Sequence, residues 1–312
     1  MEHYQLKPEL EAFIKRNVQE AAATHFVMTP ASMREASLRL AFSQELPKVK
    51  MAAVTDAVLS QCGEYDVPVR IYRPTAGTVP LPVLIYYHGG GFVIDSIMVY
   101  DPILRRIAKA TNHIVVAPEY RLAPENPYPA AEVDALATAK RTLAKLDELH
   151  IPYLPDITLA GDSAGGYLAA VVSSHLQEDS RIPITHQILI YPSLDMTHSL
   201  PSFEENGIDT YGSNKNKMKW YFDCYLHHVP NRKAISPLFG KLSPHMPSTL
   251  MITVQFCPFR DEGAAYTARL KQYGVRTELY NVTNMVHSYL NFEKICYDEI
   301  CATYKKIAQF LT

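Results

Sequence analysis

Ile157-Thr158-Leu159-Ala160-Gly161-Asp162-Ser163-Ala164-Gly165-Gly166 decides how this chain is read. Ile157–Ala160 is a short apolar run of the kind found in strands buried on both faces, and a helical segment over 164–178 follows it. Between them stands G-x-S-x-G, with the serine on a tight strand-to-helix turn. Gly161 and Gly165 remove side chains that would collide where the chain folds back. The Ser163 hydroxyl then projects above the carboxyl edge of a sheet, and the Ala164 N–H lies beside it, free to donate to a developing negative charge.

Working outward, apolar runs recur at Pro82–Tyr87, Ile114–Ala117, Ile188–Tyr191 and Leu250–Val254, with a shorter strand at Thr277–Val282. Val67, Arg70, Ile71 and Tyr72 suggest a further, half-exposed strand ending at Pro74. Helical segments are expected near 102–111, 130–149, 261–273 and 295–311. Alternation of strand and helix predicts an α/β fold, a mostly parallel sheet with helices on both faces. The first fifty residues differ. Leu10, Phe13, Ile14 and Val18 recur at helical spacing after Pro8, and Thr29 with Pro30 opens a second helix carrying Met33, Leu38 and Phe42. This pair closes one side of the core or forms part of a lid. Nearly sixty residues between Tyr191 and Leu250 hold Trp220 and a cluster of Lys215, Lys217 and Lys219. A structureless loop of that length is unusual, so a partly helical insertion is expected there, with the lysines on a solvated face.

Two other stretches carry chemistry. His88-Gly89-Gly90-Gly91-Phe92 follows the strand ending at Tyr87. Three glycines at a strand end are costly to order unless backbone must approach something, and their N–H groups are candidate oxyanion donors. A serine hydroxyl needs a base. Chain order in such folds puts that base last, after an acid, which singles out His287, on the loop Thr283-Asn284-Met285-Val286-His287, from the twelve histidines.

Composition narrows the class. Thirty Lys+Arg against 32 Asp+Glu give a formal charge of -2, and no run supplies the basic face a nucleic-acid binder needs. At 47% hydrophobic residues the chain can bury a core. No stretch reaches the length of a membrane span. Glu2, Lys7, Glu9, Glu11, Lys15 and Arg16 break the order of a secretion signal, so a cytoplasmic protein is expected. Five scattered cysteines (Cys62, Cys224, Cys257, Cys296, Cys301) without a C-x-x-C pair suggest neither disulfides nor zinc, and all but Cys257 read as small buried hydrophobes.

These motifs together resemble the hormone-sensitive-lipase-like α/β-hydrolases, the bacterial family IV carboxylesterases. The resemblance covers about residues 50–312: H-G-G-G-F at 88–92, Tyr120-Arg121-Leu122-Ala123-Pro124-Glu125, Tyr128-Pro129-Ala130-Ala131, G-D-S-A-G-G at 161–166, Pro258-Phe259-Arg260-Asp261-Glu262-Gly263, Tyr273-Gly274-Val275 and His287. It implies a core over 51–193 and 248–312, with cap segments at 1–50 and 194–247. It implies a serine esterase acting on short- to medium-chain esters, with a small-molecule ester as partner and no metal or organic cofactor; assembly into a homodimer is left open. Ser163 becomes the nucleophile, His287 the base, and Gly90, Gly91 and Ala164 the oxyanion donors, with Gly89 shaping their turn.

The acid does not carry over. The family usually reads A-E-Y-D-P-L-R-D-E-G, whereas this chain has Val254-Gln255-Phe256-Cys257-Pro258, with a thiol where the carboxylate belongs. Three outcomes follow: Asp261 reaches His287 after a loop shift, Cys257 serves as a thiolate, or the site is slow and keeps its pocket for binding. Plant gibberellin receptors, similar to this family and lacking a triad member, make a hydrolase-fold binding protein the rival reading. An amide or lactone hydrolase would need only a different pocket. Asp95, Tyr167 and Ser288 are further departures, replacing a usual glycine, asparagine and glycine.

Overall fold

The structure is a computed structural model that describes residues 4–60 and 65–312. Eight strands form one sheet in the order β1-β2-β4-β3-β5-β6-β7-β8, comprising β1 (Ala53–Leu59), β2 (Val67–Arg73), β3 (Leu81–Tyr87), β4 (Ile114–Pro118), β5 (Tyr153–Asp162), β6 (Ile184–Ile190), β7 (Ser248–Phe256) and β8 (Thr277–Val286). Every pairing from β4 through β8 is parallel, while β2 runs antiparallel to both β1 and β4. The nine α-helices among the described residues are α1 (Pro8–Ala23), α2 (Pro30–Gln44), α3 (Ile97–Thr111), α4 (Ala130–Glu148), α5 (Ala164–Leu176), α6 (Pro201–Asn206), α7 (Lys215–Leu226), α8 (Arg260–Gln272) and α9 (Tyr297–Phe310). α3 packs with α9, and α4 with α5. All five residues of β4 and six of seven in β3 are buried, as strands covered on both faces must be.

This is the mostly parallel α/β architecture expected. The differences are local. β1 is largely exposed despite Val54, Val58 and Leu59, with Asp56 paired to Arg70 at 2.6 Å, and its pairing with β2 reveals it. β2 is more buried than half-exposed, since it lies between two strands. α3 starts five residues before the expected 102, because Ser96 accepts the Val99 N–H at 3.3 Å and Pro102 is carried inside the helix. β8 extends through Val286, so His287 follows a strand directly and not a loop from 283. Thr29 caps α2 as expected, in a reciprocal box with Ser32, yet Phe42 is 60% exposed. Cys296 is buried, but Cys224 is only half-buried and Cys301 is exposed; Cys62 lies outside the described residues.

The sheet places the chemistry. The strand order reverses direction between β3 and β5, and ligands of open α/β sheets gather outside the carboxyl ends at such a switch point. His88 follows β3, Ser163 follows β5, Cys257 follows β7 and His287 follows β8. All four leave the same edge. The β5–α5 turn fits only because two residues lack side chains: a Cβ on Gly165 would sit 1.9 Å from the Tyr87 carbonyl oxygen and 2.5 Å from that of His88, and one on Gly161 would sit 2.3 Å from the Gly165 oxygen. These obstacles are backbone atoms of β3, the residue after it and α5, which cannot yield locally. Gly165→Ala should therefore lose about 3–5 kcal/mol of stability. Urea unfolding checks this: a midpoint unchanged from wild type would mean that β3 and β5 tolerate being pried apart.

Candidate active site

Ser163 sits at φ 54°, ψ -118°, a conformation rarely held by a non-glycine residue, and its surroundings enforce it. Its N–H donates to Ile190 O at 2.9 Å, and its carbonyl accepts from Tyr167 N at 3.1 Å and Ser193 N at 3.3 Å. The side chain is thereby aimed at His287: Oγ lies 2.9 Å from Nε2. The imidazole is held edgewise between the rings of Tyr191 and Phe259, at centroid distances of 5.0 and 5.1 Å. Ser163 is 7% exposed and His287 5%, so the pair meets under cover. Ser288 takes a left-handed φ of 63°, which accounts for the glycine more usual there.

His287 Nδ1 lies 3.1 Å from Cys257 Sγ, which also accepts the Phe259 N–H at 3.3 Å. The thiol therefore occupies the position a carboxylate would take. Its burial drives its pKa far above the ordinary thiol range, so it is a neutral S–H. Burial, and then the positive charge of Lys217, push His287 down to about 3. A carboxylate on Nδ1 would hold a proton there and leave Nε2 free to accept one. An S–H can instead donate to Nδ1 and fix the opposite tautomer, in which Nε2 carries the proton.

Asp261 does not reach this group. Its oxygens take the Ser202 N–H at 2.9 Å and Arg260 Nε at 2.9 Å in the first turn of α8, while both His287 ring nitrogens are engaged by Ser163 and Cys257. Cys257 as thiolate is equally disfavoured by its burial.

The glycine loop divides its work. The Gly89 N–H donates to Tyr100 Oη at 3.0 Å and Asp162 Oδ1 at 3.1 Å, so it braces the turn. The N–H groups of Gly90 and Gly91 have no acceptor among the described residues, and neither does that of Ala164 at the start of α5. Asp162, given no role by sequence reasoning, is what ties the two loops together. Besides Gly89 it accepts Tyr86 Oη at 3.0 Å and Tyr100 Oη at 2.9 Å, and burial raises its pKa to about 7. Its place beside the serine was the available signal.

Elements from the first fifty residues and from the insertion lie over this edge. α2 contributes Arg34, which donates to Val93 O at 2.9 Å and Ala123 O at 3.0 Å, and Ser37, which donates to Asp95. Asp95 stands at φ 74° with Oδ2 against Gly90, and burial lifts its pKa to about 6. From α7, the Tyr221 ring covers Gly91 so closely that a Cβ there would lie 2.6 Å from it. Tyr167 donates to Glu132 and to Ile235 O at 3.1 Å, fastening the insertion to α4 and α5. The insertion is partly helical, as expected, but its lysines are not one solvated face. Lys215 pairs with Glu204 at 2.5 Å and Lys219 with Asp223, both outward, whereas Lys217 turns inward. Helical geometry could have signalled this: residues 215 and 219 share a face that 217 opposes, and 217 shares its own with Tyr221.

No cluster of His, Cys, Asp or Glu among the described residues is arranged to hold a metal ion, and none of the helices is long and apolar enough to cross a membrane.

Comparison with known proteins agrees with this geometry. A family model described as an alpha/beta hydrolase fold matches residues 84–291. Carboxylesterase NlhH of Mycobacterium tuberculosis is 32% identical over 92% of this chain and 90% of its own. Ethyl acetate hydrolase of Pseudomonas putida is 27% identical over 93% of each. Among solved structures, an esterase of Pyrobaculum calidifontis superposes with a TM-score of 0.87 at 33% identity, covering 98% of both chains.

Proposed function

The chain belongs to the α/β-hydrolase family, among its hormone-sensitive-lipase-like carboxylesterases, and from that premise we propose that it hydrolyses short- to medium-chain esters through an acyl-enzyme on Ser163. The observation that carries this reading is the 2.9 Å contact between Ser163 Oγ and His287 Nε2 beside three unengaged backbone N–H groups. Ser163 Oγ attacks the ester carbonyl carbon while its proton passes to Nε2 of the His287 tautomer that carries its own proton on Nδ1, the one the Cys257 thiol disfavours. Gly90, Gly91 and Ala164 donate to the resulting oxyanion. Collapse breaks the carbonyl–alkoxy bond, and Nε2 returns the proton to the departing alcohol. Water then repeats the sequence on the acyl-enzyme, giving the free acid and restoring the serine. The two chain segments 1–50 and 194–247 act as the cap that shapes the acyl and alcohol pockets.

The neutral Cys257 thiol favours a second reading, a hydrolase-fold protein that binds a small molecule and turns it over slowly or not at all. Incubation with a fluorophosphonate and with a chromogenic acetyl ester separates the two. Covalent labelling mapped to Ser163, with ester turnover, supports the esterase; a protein that neither labels nor turns over, while binding a ligand under the cap, supports the other.

Asp261→Asn tests the remaining candidate for the acid. Because Asp261 serves Ser202 and Arg260, its loss should change kcat by less than about twofold, within the range of a surface substitution. A drop beyond tenfold would return Asp261 to the triad.

A further inference from the structure

Lys217 is anomalous among the cations of the insertion. Its side chain is partly buried, and its ammonium has no carboxylate within 4.0 Å and no hydrogen-bond acceptor among the described residues. It shares with Tyr221 the face of α7 that meets the oxyanion loop, and its charge is felt by two groups there, Asp95 and His287. Tyr221, one turn further along α7, rests on Gly91 and fixes that face of the helix against the oxyanion loop. Asp95, the carboxylate whose charge acts on it, is spent on Ser37 through Oδ1 and turned toward Gly90 through Oδ2.

An ammonium partly withdrawn from water without a partner is unfavourable, and this one also opposes formation of the imidazolium that ester cleavage requires. The cost is compounded because position 257 supplies no negative charge. Both penalties vanish when a ligand brings an anion.

We infer that Lys217 receives a carboxylate carried by the substrate, so that the preferred esters are half-esters of dicarboxylic acids. The substrate carboxylate pairs with the Lys217 ammonium while its ester carbonyl lies at Ser163, and neutralising the ammonium frees His287 to accept the serine proton. The inference rests on the esterase reading for its chemistry but not for its binding site.

The test compares monoethyl succinate, glutarate and adipate with ethyl 5-methylhexanoate, in which an isopropyl group replaces the carboxylate of the glutarate half-ester. Ethanol release gives kcat/KM for wild type, Lys217→Met and Lys217→Arg. Calorimetry measures glutarate binding to each protein. At least one half-ester should exceed the neutral ester by about 10-fold or more, and Lys217→Met should cut that ratio by about 10- to 100-fold, as loss of a charge-assisted contact does, with Lys217→Arg retaining part of it. Glutarate should bind wild type and not a Lys217→Met protein that melts like wild type. A preference for the neutral ester, unmoved by Lys217→Met and without glutarate binding, would overturn the inference and leave Lys217 as a distant counter-charge to Asp95. If no ester is cleaved but glutarate binds through Lys217, the carboxylate site stands and the esterase reading falls.

Discussion

Cys257→Asp should raise kcat for ester hydrolysis by about 10²–10⁴. The basis is the position of the sulfur, 3.1 Å from His287 Nδ1 with the Phe259 N–H already directed at it, so that an aspartate there would find two hydrogen-bond donors waiting. Such a carboxylate holds the imidazole in the tautomer with a free Nε2 and stabilises the imidazolium formed when Ser163 gives up its proton. In a serine protease, substitution that leaves the geometry but reverses the tautomer costs about 10⁴ in kcat, which sets the upper end of the gain. The pH profile supplies a second readout. On the proposed mechanism, catalysis needs neutral His287, which exists above its pKa. In wild type that pKa is pushed down to about 3, so the acid limb of the rate profile should lie well below the usual histidine range. Adding a negative charge beside Nδ1 favours the protonated form, so the limb should move upward in Cys257→Asp. Cys257→Ser, neutral like the thiol, should produce neither change. A gain below threefold with an unmoved acid limb would mean that the residue at 257 does not govern this imidazole.

The features legible in the sequence were those imposed by backbone. G-D-S-A-G-G is written in glycine because carbonyls at the end of β3 and in the β5–α5 turn leave no space for a Cβ, and H-G-G-G because Asp162, the Ile94 carbonyl and the Tyr221 ring crowd its three glycines in turn; that constraint survives in a single sequence. Five of the six parallel strands were visible as apolar runs because both faces of each are covered. β1 was not, since an exposed edge strand with residues such as Thr55 and Asp56 has no burial to record. Ser163 and His287 meet across 124 residues of chain, and motif order foresaw the pairing, though not the distance. What the sequence left open was the direction of individual side chains. Whether position 257 was occupied by a participant or a bystander depended on Sγ reaching Nδ1, and whether Asp261 could replace it depended on Ser202 and Arg260, which come from elsewhere in the chain or precede it by one residue. Lys217 was grouped with its neighbours by charge, when helical phase separates it from them.

Ser163→Ala should cost different amounts in different backgrounds, and the difference is the larger test. If Ser163, His287 and residue 257 act as one unit, removing the serine drops any version of the protein to the same floor, the residual catalysis of an oxyanion hole without a nucleophile. In a serine protease with an intact triad that fall is about 10⁶ in kcat. Ser163→Ala in the Cys257→Asp protein should therefore lose about 10⁶, whereas in wild type it should lose only about 10²–10⁴, because the thiol has already forfeited the rest. The coupling between the two positions, about 3–5.5 kcal/mol at 1.36 kcal/mol per factor of ten, greatly exceeds what separated, independent sites show. Single-turnover rates on a chromogenic acetyl ester in all four proteins close the cycle. Equal losses in both backgrounds would mean that the serine works without help from position 257 and that the 3.1 Å contact between Cys257 and His287 carries no catalytic consequence. A residual rate in Ser163→Ala that still rises with Cys257→Asp would instead reveal His287 activating water directly, a route the buried imidazole can take only if the cap admits solvent to Nε2.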